Sequence, residues 1–318
     1  MNEVLIRCEG LTRRFGRTQA VDHLNLEIPK GSIYALVGPN GAGKTTLIKL
    51  LMNILQPGEG SASVLGMDSR SLGGKAFERI GYVSENQEMP EGMTVGRMMD
   101  YLRAFYPQWD RALEDQLIRQ FNLPRDRKLK HLSRGMKMKA AFASSFAYRP
   151  ELMILDEPFG GLDPLVRDEL IESLLEHAQE TTILLSSHDL SEIESFASHV
   201  GFLESGRLLF NEEMSTLSER FREVTVTLNQ ALPALAMLPK EWLQVEHRDH
   251  VLRFIHSGYR SGDSEQEIQK KIPGAGEIAV DPMPLRAIFL AVAKAQRTAH
   301  ATTQAHNTTQ QALEEVQA

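Results

Sequence analysis

The run Gly38-Pro39-Asn40-Gly41-Ala42-Gly43-Lys44-Thr45-Thr46 brings together three glycines, one lysine and two adjacent hydroxyls. Glycines at these intervals let successive backbone N–H groups turn inward and cradle phosphate oxygens at the start of a helix. Lys44 supplies a point charge to the outer phosphates, and Thr45 offers a hydroxyl to Mg2+. A second element, Leu152-Met153-Ile154-Leu155-Asp156-Glu157, is an apolar run that ends in two carboxylates. Such a strand delivers Asp156 to the C-terminal edge of a sheet, beside a phosphate loop, where it can join Thr45 in the Mg2+ shell. Glu157 lies one residue further out, placed to align or deprotonate an attacking water. Taken alone, the first run could be a glycine-rich turn and the second a strand meeting solvent. Together they specify a site for a nucleoside triphosphate, and they leave many nucleotide-handling families open.

These residues need a scaffold, and the surrounding pattern provides one. Ile33–Val37 reads as a strand entering the glycine run, and residues 44–54 as the helix leaving it, closed by Pro57-Gly58. Residues 24–28 form a further strand, while 152–155 and 182–185 are short apolar runs of the kind buried in parallel sheets. Alternation of such strands with helical patterns predicts an α/β domain over residues 1–222. Within it, residues 85–148 turn helical and carry Met93, Met98, Met99, Tyr101, Phe105, Tyr106 and Trp109. That stripe reads as core packing, or as a pliable docking face for a partner helix. Beyond Arg222 the pattern shifts to strands at 224–228 and 251–255 and helices at 266–271 and 285–295. This predicts a small α+β appendage over 223–296, followed by a polar, low-complexity tail at 297–318 expected to be disordered.

Bulk properties exclude several classes. With 42% hydrophobic and 24% charged residues, the chain has the composition of an ordinary globular protein. Its formal charge of −7 argues against a nucleic-acid-binding surface, which would carry a basic excess. Cys8 is the single cysteine; it sits in the alternating series Val4, Ile6, Cys8 and reads as a small buried hydrophobe in a reducing compartment. The N-terminus lacks the apolar stretch of a signal peptide. No stretch reaches the roughly 18 apolar residues a spanning helix needs; the nearest, 282–295, is short and contains Arg286. The chain is therefore not expected to cross a membrane, and the phosphate-loop motif occurs once.

Three further runs narrow the choice of family. Leu132-Ser133-Arg134-Gly135-Met136 resembles the LSGGQ signature of ATP-binding cassettes, in a variant form. Gly161-Leu162-Asp163-Pro164 resembles their D-loop, and Ser186-Ser187-His188-Asp189 resembles their switch histidine. With five elements in order, residues 3–220 resemble the nucleotide-binding subunit of ABC transporters, nearest to bacterial drug, antibiotic-peptide and lipid exporters. The resemblance implies an α/β P-loop NTPase core of ABC type, with a helical subdomain inserted and a small C-terminal α+β appendage. It implies ATP and Mg2+ as cofactors, with Gly38 to Thr46 binding phosphates, Thr45 and Asp156 on the metal, and Glu157 and His188 as the hydrolytic pair. It implies a head-to-tail homodimer or a heterodimer with a related cassette, in which Ser133, Gly135 and Asp163 serve the nucleotide held by the other subunit. Ser133 also opens a helix, whose N–H groups favour an anion.

Two departures from the family pattern stand out. Phe15 takes the place of the tyrosine that stacks on adenine, keeping the π-face and losing a hydroxyl. Glu85 stands where a glutamine is usual, with Gln87 as the alternative; a carboxylate there could bind Mg2+ but adds negative charge beside Glu157. Arg134 and Met136 likewise replace a glycine and a glutamine of the signature. The partner implied is an integral membrane permease, with no nucleic acid, and the place is cytoplasmic, peripheral on the inner face of the membrane. Export is favoured over import. A soluble ABC-type ATPase in assembly or regulation is the alternative, and a non-hydrolysing binding module a third reading.

Overall fold

A computed structural model describes residues 3–178, 180–229 and 238–295. The tail expected at 297–318 lies outside the described residues. The chain divides into two compact units after Asn211, whereas the sequence pattern placed the division after residue 222.

In the first unit a six-stranded sheet runs in the order β10 (Arg207–Glu213), β9 (His199–Glu204), β3 (Ile33–Val37), β8 (Thr182–Ser187), β7 (Leu152–Asp156), β6 (Ile80–Ser84). From β9 to β6 every neighbouring pair is parallel. All residues of β3, β7 and β8 are buried, as an apolar strand covered on both faces must be. A second, antiparallel sheet is ordered β2 (Thr18–Pro29), β1 (Val4–Phe15), β4 (Glu59–Val64), β5 (Met67–Asp68). Its alternating face sends Ile6, Cys8, Leu26 and Ile28 into one core with Tyr34 and Leu36 of β3. Helix α1 (Lys44–Leu51) joins that core through Leu47, Ile48, Leu50 and Leu51. Burial pushes the Cys8 thiol up to about 12, so it behaves as the small hydrophobe its spacing implied.

After the short α2 (Gly74–Phe77), three helices fill the region between β6 and β7: α3 (Val95–Arg103), α4 (Arg111–Gln120) and α5 (Arg134–Phe146). Each starts at a residue whose side chain accepts a backbone N–H of the first turn: Thr94, Asp110 and Ser133. The Met and aromatic stripe splits. Met98 and Met99 are buried, Tyr106 stacks on Tyr148 at 3.8 Å, and Tyr101 and Phe105 are exposed. Helix α6 (Pro164–His177) follows β7, with Asp163 as its cap and Pro164 in its first turn.

The second unit has a four-stranded antiparallel sheet ordered β12 (Trp242–Arg248), β13 (Val251–His256), β11 (Arg222–Leu228), β14 (Ala275–Pro282). It is accompanied by α7 (Met214–Arg220), α8 (Asp263–Lys271) and a helix over 285–295. Its core is Val224, Val226, Leu228, Trp242, Leu252, Phe254, Ile268 and Ile272. The sequence pattern located β11 and β13. It missed β12 and β14, where Glu246, His247, Arg248, Glu277 and Asp281 mask the strand period. Among the described residues no helix is long and apolar enough to cross a membrane.

Candidate functional site

The loop from β3 to α1 is held against its neighbours so closely that only glycine fits at two points. A Cβ on Gly38 would lie 2.1 Å from the Leu203 carbonyl oxygen, and one on Gly43 would lie 2.2 Å from that of Ala20. Gly43 also has φ 112, in the region L side chains avoid. Pro39, Asn40 and Gly41 face solvent, Ala42 is buried, and Thr46 is half-buried. The loop thus presents its backbone outward at the start of α1, the end of a helix that attracts anions.

Lys44 is almost fully buried at 5% exposure, and its ammonium reaches back along the loop. Nζ donates to the Gly38 carbonyl at 2.7 Å and lies 3.0 Å from Oε1 of Glu157. A buried ammonium needs such partners, since desolvation without them is costly. Thr45 Oγ1 donates to Asp156 Oδ1 at 3.2 Å. The other oxygen of Glu157 meets Nδ1 of His188 at 2.8 Å. Glu157 has φ 52, a left-handed conformation that turns the chain sharply at the end of β7. Lys44, Thr45, Asp156, Glu157 and His188 therefore form one connected group, drawn from the ends of three adjacent strands.

Ser186, to which sequence reasoning assigned no role of its own, completes the group. Its hydroxyl donates to Asp156 at 2.7 Å and accepts the Glu157 N–H at 3.0 Å, so one side chain fixes both carboxylate residues. The signal available was its register: Ser186 pairs directly with Asp156 across β7 and β8. Ser187 extends the bracing, with its carbonyl accepting the Gly38 N–H at 3.3 Å and its hydroxyl donating to Glu192 at 3.0 Å. Burial raises the Glu192 carboxyl above its usual range, while the Ser191 hydroxyl and N–H hold that of Asp189 below.

The other expected residues stand apart. Glu85 donates its N–H to the Asp156 carbonyl at 3.0 Å, but its side chain pairs with Arg134 instead of joining Thr45 and Asp156. Gln87 is exposed beyond it. Phe15 ends β1 and is 45% exposed, with the Arg13 guanidinium 4.9 Å from its ring centre. Ser133 and Asp163 are exposed at the starts of α5 and α6, and a Cβ on Gly135 would lie 3.0 Å from Val166, so these two helix starts abut.

The central group suits a polyphosphate: one ammonium and the N–H groups of a helix start face the place where the carboxylates converge. Among the described residues no cluster of three or more His, Cys, Asp or Glu side chains is shaped to hold a metal. One carboxylate with hydroxyl neighbours is still a fitting set for Mg2+, which prefers oxygen and takes several of its ligands from phosphate and water.

Comparison with known proteins points to one family. The family described as "ABC transporter" matches residues 21–160. Bacitracin transport ATP-binding protein BcrA of Enterococcus faecalis is 33% identical over 227 residues, covering 70% of this chain and 74% of that protein. Probable multidrug ABC transporter ATP-binding protein YbhF of Escherichia coli (strain K12) is 31% identical over 240 residues, covering 72% of this chain and 41% of that longer protein. A solved structure described as "Structure of ATP binding subunit of ABC transporter" superposes with a TM-score of 0.62 at 27% identity, covering 68% of this chain and 92% of that one.

Proposed function

The chain belongs to the ABC transporter family, as an ATP-binding and ATP-hydrolysing subunit that works with a membrane permease, and from that premise we propose that it powers export. The observation that carries the hydrolytic part is Glu157, bridging Lys44 at 3.0 Å and His188 at 2.8 Å beside Asp156. An arriving triphosphate competes with Glu157 for the Lys44 ammonium. Once displaced, the Glu157 carboxylate is free to orient a water and accept its proton, while His188 donates to the outermost phosphate. Ser186 keeps the backbone of Glu157 from following its side chain. Thr45 and Asp156 would hold Mg2+, which supplies charge neutralisation across the phosphates. Phe15 offers a π-face to adenine.

Working as a dimer is part of the proposal. Ser133 and Asp163 cap α5 and α6, and with Gly135 they sit at two abutting helix starts, which is the placement expected if they complete the site of a second subunit. Export is supported by the relatives' names, a bacitracin transport ATP-binding protein and a probable multidrug ABC transporter ATP-binding protein. A cytoplasmic position against the inner membrane face follows from docking on a permease.

The test has two stages. Tagged full-length protein is pulled from detergent-solubilised native membranes and its companions are identified by mass spectrometry. A stoichiometric multi-span protein supports the transporter reading, and recovery with soluble proteins alone overturns it. The recovered complex is then placed in inside-out vesicles with candidate antibiotic peptides and drugs. ATP-driven accumulation that Glu157→Gln removes is the expected result. ATP-driven loss of preloaded compound instead would establish import.

A further inference from the structure

Two positions at which this sequence departs from the ABC pattern, Glu85 and Arg134, are in contact although 49 residues separate them. Arg134 Nη2 pairs with Oε1 of Glu85. The Glu85 backbone is bonded to Asp156 at 3.0 Å, so this carboxylate hangs from the same sheet edge as Asp156 and Glu157. The two side chains meet over the turn that follows Glu157. A Cβ on Gly160 would lie 3.1 Å from Glu85 Oε1, and one on Gly161 would lie 2.8 Å from Arg134 Nη1.

Helix stability does not explain the arginine. It occupies the first position of α5, where a cation opposes the helix dipole. Electrostatics at the sheet edge does explain it. A third carboxylate beside Asp156 and Glu157 repels a polyphosphate, and a guanidinium seated on that carboxylate cancels the repulsion.

We infer that Arg134 is a positioning residue that neutralises Glu85 within the same subunit, so that a carboxylate can occupy this edge without weakening ATP binding. The contact also ties the start of α5, and with it Ser133, to the turn behind Glu157. This inference rests on the ATPase reading.

The test is steady-state ATP hydrolysis by the full-length chain, comparing the unmodified protein with Arg134→Met, Arg134→Lys and Glu85→Gln/Arg134→Met. Arg134→Met leaves Glu85 bare and should raise KM for MgATP about tenfold with a much smaller change in kcat. The rise should shrink as salt is added, because the pair is partly exposed and the bare charge is screened. Arg134→Lys, and removal of the glutamate charge in the double variant, should each recover most of the loss. A double variant as impaired as Arg134→Met overturns the inference, as does an Arg134→Met protein with unaltered KM. Absence of turnover in the unmodified chain would instead overturn the ATPase reading and take this inference with it.

Discussion

In the first unit β3, β7 and β8 run side by side in parallel and bury every residue. In the second unit β11 to β14 run antiparallel, and Val224, Val226 and Leu228 alternate with more exposed neighbours. The consequence for chemistry is direct. Parallel strands all end at one edge, so the segments after β3, β7 and β8 converge, and Glu157 comes within about 3 Å of both Lys44 and His188. Antiparallel strands end at alternate edges, so consecutive turns are carried apart. The charged residues of the second unit accordingly form local pairs, such as Arg253 with Glu223 across β13 and β11. A strand order that gathers loops makes a site; one that scatters them makes a scaffold.

The largest effect is expected for Glu157→Gln. Glu157 is the carboxylate placed for the proton transfer, so kcat should fall about a thousandfold, roughly 4 kcal/mol, with ATP still bound. Steady-state hydrolysis and binding calorimetry read the two halves separately. Turnover above a tenth of normal would remove Glu157 from that role.

Next in size is Phe254→Ala in the second unit. Phe254 is 1% exposed and stacks on Trp242 at 4.2 Å, so its removal should cost about 3–4 kcal/mol of that unit's stability. Denaturant unfolding should show one destabilised transition, while ATP hydrolysis by folded protein stays within about twofold of normal. A matching loss of hydrolysis would mean that the scaffold is part of the motor.

The phosphate loop, Asp156 and Glu157 were legible in the sequence because phosphate chemistry restricts which residue types can stand there and in what order, and His188 was legible through its resemblance to the switch histidine of ABC cassettes. Ser186 was not, since a serine closing an apolar strand has no distinguishing neighbour until the register places Asp156 beside it. The Glu85–Arg134 pair was invisible for a similar reason: each residue could be seen to depart from a pattern, but only folding puts the two together. The strands β12 and β14 were hidden by charges on an antiparallel sheet with little to bury. Glu114 was hidden in the opposite way, as an acid on a helix that reads as surface and lies 1% exposed.

Glu114 supplies the third prediction, on how the helical insertion is held. Burial would raise its carboxyl, but bonds from Arg103, Trp109 and Arg125 outweigh burial and hold it below the ordinary glutamate range. Its share of stability is thus present above the unfolded-state pKa and is lost as pH falls through the lower folded value. Glu114→Gln takes the buried carboxylate from two guanidinium groups at 2.6 and 2.9 Å, leaving Arg103 to its exposed partner Asp100 and Arg125 to Asp115, and should cost about 2 kcal/mol at neutral pH. The gap between variant and unmodified protein should narrow under acid, as thermal unfolding across pH would show. A gap that does not change with pH would mean that packing, and not the charge, is what Glu114 contributes.

The smallest expected effect lies at Phe15, which stands apart from the converging loops. The ring of Phe15 has Arg13 on one side at 4.9 Å, and Arg13 Nη1 is itself anchored on the Gln56 carbonyl at 3.0 Å. A ring braced in this way keeps its opposite face open for a base, and stacking of that kind contributes about 1 kcal/mol. Phe15→Ala should therefore raise KM for ATP about fivefold and leave kcat unchanged, because the contact is equally strong before and during hydrolysis. Phe15→Tyr should restore KM, since the π-face returns. If alanine leaves KM where it was, Phe15 only closes β1, and the base is held elsewhere.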